Sequence, residues 1–70
     1  MNTIDVRGLS CPQPVMNTLE EINNAGSGTF RILVDTDTSK ENVIRSVEAR
    51  GWSVQQIDND DKGYAIVINK

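Results

Sequence analysis

Residues 4–14 read IDVRGLSCPQP and join a short strand to the start of a helix. Ile4 and Val6 alternate with polar neighbours, which predicts a strand with one buried face. Gly8 ends this strand. The two prolines that follow suit a helix start, because the first helical N–H groups need no partner there. The stretch therefore predicts a strand-to-helix junction that contains Cys11.

Two segments beyond this junction have the spacing of amphipathic helices. The first continues from the prolines to a stop at Gly26, and the second follows a capping-box pattern at residues 38–41 and stops at Gly51. The apolar stripe of the first is Val15, Leu19 and Ile22, and that of the second is Val43, Ile44 and Val47. Both segments are therefore predicted to pack one face on a core.

Three further segments have the pattern of strands. Residues 29–34 alternate but carry Leu33 on the second face, which indicates a central strand. Residues 52–58 and 63–69 form a predicted hairpin across residues 59–62. The step from Val54 to Ile57 breaks the alternation and predicts a β-bulge.

The element order β-α-β-α-β-β predicts the α+β class. Short connections and right-handed crossovers favour a two-layer α/β sandwich, with a mixed four-stranded sheet and both helices on one face. The opposite face is then open, and the residues expected to be wholly or partly exposed there are Arg31, Leu33, Ala65 and Val67. No linker is visible, so residues 1–70 are expected to form a single domain.

Composition excludes several kinds of function. The chain has 70 residues, a formal net charge of −3, one cysteine and no histidine. A single cysteine allows no internal disulfide and is most easily kept reduced in the cytosol, so we expect a cytoplasmic protein. We expect no metal or cofactor, because the chain lacks a set of Cys and His ligands. The net negative charge argues against a direct nucleic acid partner, and no apolar run is long enough to predict a membrane span.

Cys11 is the candidate nucleophile. A helix start offers unpaired N–H groups and the positive end of the helix dipole, and both favour the thiolate. Cys11 as N-cap would put Pro12 at the first helical position, with the Gln13 N–H free to donate to the sulfur. Alternatively Pro14 is the first helical residue, because a residue before proline avoids the α region. A buried, inert thiol is the competing interpretation.

Charged residues near this junction have two interpretations each. Arg7 either lowers the pKa of the thiol or is simply solvated. Asp35 and Asp37, at the end of the second strand, could be an acid–base pair, but capping of the second helix by Asp37 or Thr38 is favoured. Lys40 and Arg45 face either a partner or water.

Two apolar side chains have alternatives of the same kind. Trp52 is expected in the core rather than at a contact surface, because large aromatics usually anchor a small core. Met16 either lines the approach to the cysteine or fills core space.

The run of residues 5–14 resembles the Cys-Pro-x-Pro signature of the TusA (SirA-like) sulfur carrier family. The similarity continues through Gly28, residues 34–37, Ser39 and Gly51. The resemblance implies a sulfurtransferase-type carrier whose Cys11 holds a persulfide. It also implies a donor such as a cysteine desulfurase or rhodanese, and an acceptor protein in tRNA thiolation, cofactor synthesis or sulfur metabolism. Its supporting motif comprises Arg7, Gly8, Pro12, Gln13 and Pro14. Apart from the resemblance, Asp37, Lys40 and Arg45 at the second helix form a candidate partner surface.

Residues 39–45 and the Cys-Pro-Gln-Pro form are similar to the YedF-type branch, which is linked to selenium metabolism by association. Thr38 and Trp52 depart from the residues common in the family, and neither touches the cysteine motif. The alternative functions are a non-catalytic interaction module that uses the open sheet face, and a redox-regulatory thiol.

Overall fold

The structure is a computed structural model that describes residues 2–8 and 13–70. Its elements follow the predicted order β-α-β-α-β-β. The strands are β1 (Asn2–Asp5), β2 (Thr29–Val34), β3 (Ser53–Asp60) and β4 (Gly63–Asn69), and the helices are α1 (Gln13–Ala25) and α2 (Asp37–Ala49). No helix in these described ranges is long and apolar enough to cross a membrane.

The four strands form one mixed sheet in the order β1-β2-β4-β3. β1 and β2 are parallel, with Ile4 opposite Ile32, and the β2–β4 and β4–β3 pairs are antiparallel. β2 is therefore central, as its two apolar faces predicted. The α+β class and the mixed four-stranded sheet are confirmed.

The core lies between the sheet and the two helices. Trp52 is 4% exposed and meets Phe30 edge to face, with the ring centroids 5.5 Å apart. Such a pair contributes about 0.5–1.5 kcal/mol beyond the area that it buries. The expectation that Trp52 belongs to the core is confirmed. The cluster also contains Ile4, Val6, Ile22, Ile32, Val34, Val43, Val47, Ile66 and Ile68.

The open sheet face differs from its prediction at one residue. Arg31 is exposed, and Leu33 and Val67 are half-buried, but Ala65 is only 1% exposed. Ala65 pairs with Leu33 on one side and with Asp58 on the other. Ala65 carries only a methyl group, and its two cross-strand partners have longer side chains on the same face of the sheet. The predicted exposure of Ala65 was therefore wrong.

The hairpin contains the expected bulge but a shorter turn. The register shifts between Val54 and Gln56, which confirms the bulge. β3 continues to Asp60, since Asn59 pairs with Tyr64 and Asp60 with Gly63. Only residues 61–62 remain as the turn, so the expected turn at residues 59–62 was too long. Ladder hydrogen bonds in a two-residue hairpin outweigh the turn preference of Asn and Asp.

The N-cap of α2 is Thr36. Its backbone is extended, and its hydroxyl accepts a hydrogen bond from the backbone N–H of Ser39 at 3.0 Å. The expectation of a cap at Asp37 or Thr38 was therefore wrong by one or two residues. Asp37 instead lies in the first turn, where its charge favours the helix dipole.

Thr36→Ala is expected to lower the free energy of unfolding by about 1 kcal/mol, because the Ser39 N–H loses its side-chain acceptor. Thr38→Ala is the matched control and should change it by no more than about 0.5 kcal/mol, since alanine favours a helix interior. Urea denaturation measures both. Equal losses in the two variants would contradict the assignment of the cap.

Candidate functional site

The carboxyl ends of β1 and β2 lie at the same edge of the sheet, because these two strands are parallel. Both helices begin after these ends, and β4 starts beside the end of β2, with Tyr64 opposite Val34. We use the name loop edge for residues 6–8, 35–36 and 61–62, which are the connections gathered there. Ligands of open α/β sheets bind at such carboxyl ends.

The cysteine segment, residues 9–12, follows residues 6–8 of the loop edge and leads to α1. Residue 8 precedes it, and α1 begins at Gln13 directly after it. Cys11 and Pro12 lie outside the described residues, so Cys11 as N-cap stays a prediction. The alternative in which Pro14 is the first helical residue is wrong, because α1 already includes Gln13. The backbone of Gln13 and Pro14 belongs to the first turn of α1. A proline is tolerated there because that turn has no obligatory N–H donors.

Arg7 is held by Asp5. Its guanidinium donates through Nε to Oδ1 at 3.0 Å and through Nη2 to Oδ2 at 2.9 Å, and its backbone N–H donates to Oδ1 at 3.1 Å. This pair lies at the end of β1, at the entrance to the cysteine segment. The guanidinium charge is therefore directed first at Asp5. A role of Arg7 toward the thiol stays a prediction.

The Arg7 side-chain hydrogen bond lowers the pKa of Asp5 from 3.8 to about 2, with help from the Arg7 backbone N–H. Ionised Asp5 therefore stabilises the fold above pH 3.8, and this contribution is lost as the pH falls through about 2. Arg7→Ala should raise the pKa of Asp5 but leave it below 3.8, because the backbone N–H of residue 7 still donates to the carboxylate. Carboxyl NMR titration measures it, with Arg45→Ala as control. A midpoint unchanged in Arg7→Ala would contradict the pairing.

Asp35 connects the end of β2 to the start of the cysteine segment. Its Oδ2 accepts the backbone N–H of Gly8 at 2.8 Å, across 27 positions of sequence. Gly8 has a φ of +80°, a conformation that glycine adopts without steric strain. The sequence placed Asp35 at this edge, but the contact with Gly8 was not predicted.

Two of the three predicted partner-surface residues meet at Tyr64. The Tyr64 hydroxyl donates to Asp37 Oδ1, and Lys40 Nζ lies 4.5 Å from the centroid of the Tyr64 ring. The hydrogen bond to Asp37 raises the pKa of Tyr64, so the phenol is neutral at physiological pH. Arg45 is exposed further along α2 and takes no part in this contact.

Tyr64 is a residue of this edge that sequence reasoning missed. The available signal was its place at the start of β4, which the antiparallel pairing sets opposite the end of β2. Tyr64 also lines a shallow pocket with Asp35, Thr36, Asp37, Asn59 and Gly63.

Met16 lies in the first turn of α1 and is 56% exposed. The alternative in which it fills core space is therefore wrong. An exposed methionine is a flexible apolar contact that adapts to different partner surfaces. Its role in the approach to the cysteine stays a prediction.

The fold and the loop edge define a small two-layer α+β domain with a strand-to-helix junction at one edge of its sheet. A crystal structure titled as a SirA-like protein from Desulfitobacterium hafniense superposes with a TM-score of 0.84 at 31% sequence identity, covering 99% of this chain and 95% of that one. The family model described as Sulfurtransferase TusA matches residues 2–70. The chain belongs to the TusA family, and the resemblance drawn from the cysteine motif is confirmed.

Two archaeal relatives carry the name "Putative sulfur carrier protein". The one from Methanocaldococcus jannaschii is 33% identical over 73 residues, which covers 100% of this chain and 95% of the relative. The one from Archaeoglobus fulgidus is 30% identical over 69 residues, which covers 96% of this chain and 78% of the relative. Both similarities therefore extend over nearly all of this chain.

Proposed function

We propose that this protein is a sulfur carrier in which Cys11 holds sulfane sulfur as a persulfide and relays it from a donor protein to an acceptor protein. The observation that carries this proposal is the TusA family match over residues 2–70, which includes the Cys-Pro-Gln-Pro segment. The start of α1 two residues after Cys11 supports it, because a helix start favours an anion.

The proposed reaction consists of two thiol exchanges without net oxidation or reduction. The Cys11 thiolate attacks the outer sulfur of a donor persulfide, a new S–S bond forms, and the donor cysteine leaves as a thiolate. An acceptor thiolate then attacks the outer sulfur on Cys11, and the Cys11 thiolate leaves. The carrier needs no acid or base of its own, because anions attack and leave in both steps.

The donor in this proposal is a cysteine desulfurase or a rhodanese-like protein. The acceptor belongs to tRNA thiolation, cofactor synthesis or sulfur metabolism. Both partners must reach the same sulfur. The candidate contacts for them are the exposed Met16 in the first turn of α1 and the Asp37–Lys40–Tyr64 contact beside the end of β2. The partner surface we propose comprises Asp37, Lys40 and Arg45.

Intact-mass spectrometry after incubation with a cysteine desulfurase, its pyridoxal cofactor and free cysteine tests this function. We expect one added sulfur atom that a reductant removes and that peptide mapping assigns to Cys11. A glutathione or peroxide adduct without sulfane sulfur would instead identify a redox-regulatory thiol. If the thiol reacts with an alkylating reagent but takes no sulfur from several unrelated donors, the sulfur carrier proposal fails. A non-catalytic interaction module is then the remaining function.

A further inference from the structure

We propose that Asp35 is a positioning residue for Cys11, because its carboxylate holds the chain where the cysteine segment leaves β1. The inference deepens the proposed function and rests on it. The contact that carries it is the 2.8 Å hydrogen bond from the Gly8 N–H to Asp35 Oδ2, three positions before Cys11.

Successive backbone donors fix the path of the chain out of β1. The Val6 N–H donates to the Leu33 carbonyl at 3.0 Å and extends the β1–β2 ladder by one residue. The Arg7 N–H then donates to Asp5, and the Gly8 N–H donates to Asp35. Asp5 is a local partner within the same turn. Of these two carboxylates, only that of Asp35 connects residues 6–8 to the end of another strand, β2.

The backbone that carries Asp35 is itself held from the far side. A Cβ on Gly63 would lie 2.1 Å from the Val34 carbonyl oxygen and 2.7 Å from Asp35 Cα. The start of β4 therefore packs closely against the backbone at the end of β2. On the other side, Thr36 caps α2. The Asp35 carboxylate therefore extends from a backbone with little freedom to move, as a positioning group requires.

A direct chemical role for Asp35 is less consistent with this geometry. One oxygen of its carboxylate accepts from a backbone donor. A carboxylate charge would also oppose, not favour, the formation of a thiolate close to it. The useful property of Asp35 is therefore its acceptor oxygen rather than its charge. Asparagine keeps that oxygen and removes the charge, whereas alanine removes both.

The test compares Asp35→Ala with Asp35→Asn, with Glu41→Ala as a control that removes an exposed acidic residue of α2. We expect Asp35→Ala to slow sulfur loading by a cysteine desulfurase about tenfold, which is the upper end of the range for one lost hydrogen bond between neutral groups. Alkylation of Cys11 by iodoacetamide should slow in the same variant, and amide exchange at Gly8 should accelerate. Asp35→Asn should stay within about twofold of wild type.

Loading in Asp35→Ala at the wild-type rate would overturn the proposal, and so would an equal loss in the alanine and asparagine variants, which would indicate an effect of charge. Urea denaturation of each variant excludes a general loss of fold. The alkylation rates separate this inference from the function it rests on. Suppose that no donor loads sulfur on wild type but that Cys11 is still alkylated more slowly in Asp35→Ala than in Asp35→Asn. The positioning role of Asp35 is then supported, and the proposed sulfur transfer is contradicted.

Discussion

Cys11→Ser is expected to abolish sulfur loading, with a loss of more than about a hundredfold, because a serine hydroxyl remains protonated at neutral pH and forms no persulfide. Cys11 is the one cysteine of the chain, so no second thiol can take over. The measurement is the one-sulfur adduct by intact mass after incubation with a cysteine desulfurase and cysteine. An adduct of equal size on Cys11→Ser would contradict a persulfide.

A relocated thiol tests the position of the sulfur as well as its presence. The double variant Ser10→Cys with Cys11→Ser keeps one thiol but moves it one residue further from α1. We expect this variant to be alkylated and yet to load sulfur at least about tenfold more slowly, because helix-dipole stabilisation falls off within the first turn. Loading at the wild-type rate would mean that the helix start contributes nothing to the reaction.

Those parts of the fold that depend on local periodicity could be predicted from the sequence. Residues 29–34 alternate, and Phe30, Ile32 and Val34 are buried as that pattern required. Gly26 follows α1 directly and Gly51 follows the C-cap of α2, and both have positive φ angles, as their use as stop signals implied. These features could be predicted because the apolar alternation of a strand and the glycine that ends a helix each depend on a few neighbouring residues.

The errors arose where contacts from elsewhere in the chain decide between similar neighbours. Thr36, Asp37 and Thr38 all have side chains suited to an N-cap, and the cap falls on Thr36. Asp37 is engaged instead by Tyr64, 27 positions away. No local pattern in residues 35–38 contains that information.

The candidate site divides in the same way. The Cys-Pro-Gln-Pro segment is contiguous and could be read directly, and its likeness to the TusA family predicted the match that was found. The Asp35–Gly8 hydrogen bond could not be predicted, because it depends on the parallel pairing of β1 with β2 and on the register that sets Asp5 opposite Leu33. A shift in that register would give Gly8 a different neighbour.

Gly63→Ala is expected to lower the free energy of unfolding by at least about 3 kcal/mol, among the largest losses for a single added methyl group. The added Cβ would lie 2.1 Å from the Val34 carbonyl oxygen, and the φ of Gly63 is +138°. The close atoms are backbone atoms of Val34 and Asp35 at the end of β2, which cannot rotate away as a flexible side chain would. Strain and overpacking therefore act together.

Gly28→Ala is the matched control that separates these two causes. Its φ of +117° is also positive, but a Cβ there would meet no atom within 4 Å, so only backbone strain of about 1–2 kcal/mol is expected. Urea denaturation of both variants measures the difference, and equal losses would contradict the close packing of β4 on the end of β2.

The Gly63 variant also bears on the cysteine segment, since the atoms displaced by its methyl group include Asp35 Cα. If Gly63→Ala folds at reduced temperature but exchanges the Gly8 amide faster than Gly28→Ala does, the strain has reached the loop edge through Asp35. A substitution in the β3–β4 hairpin would then also slow sulfur loading of Cys11, which belongs to a different loop, the one after β1.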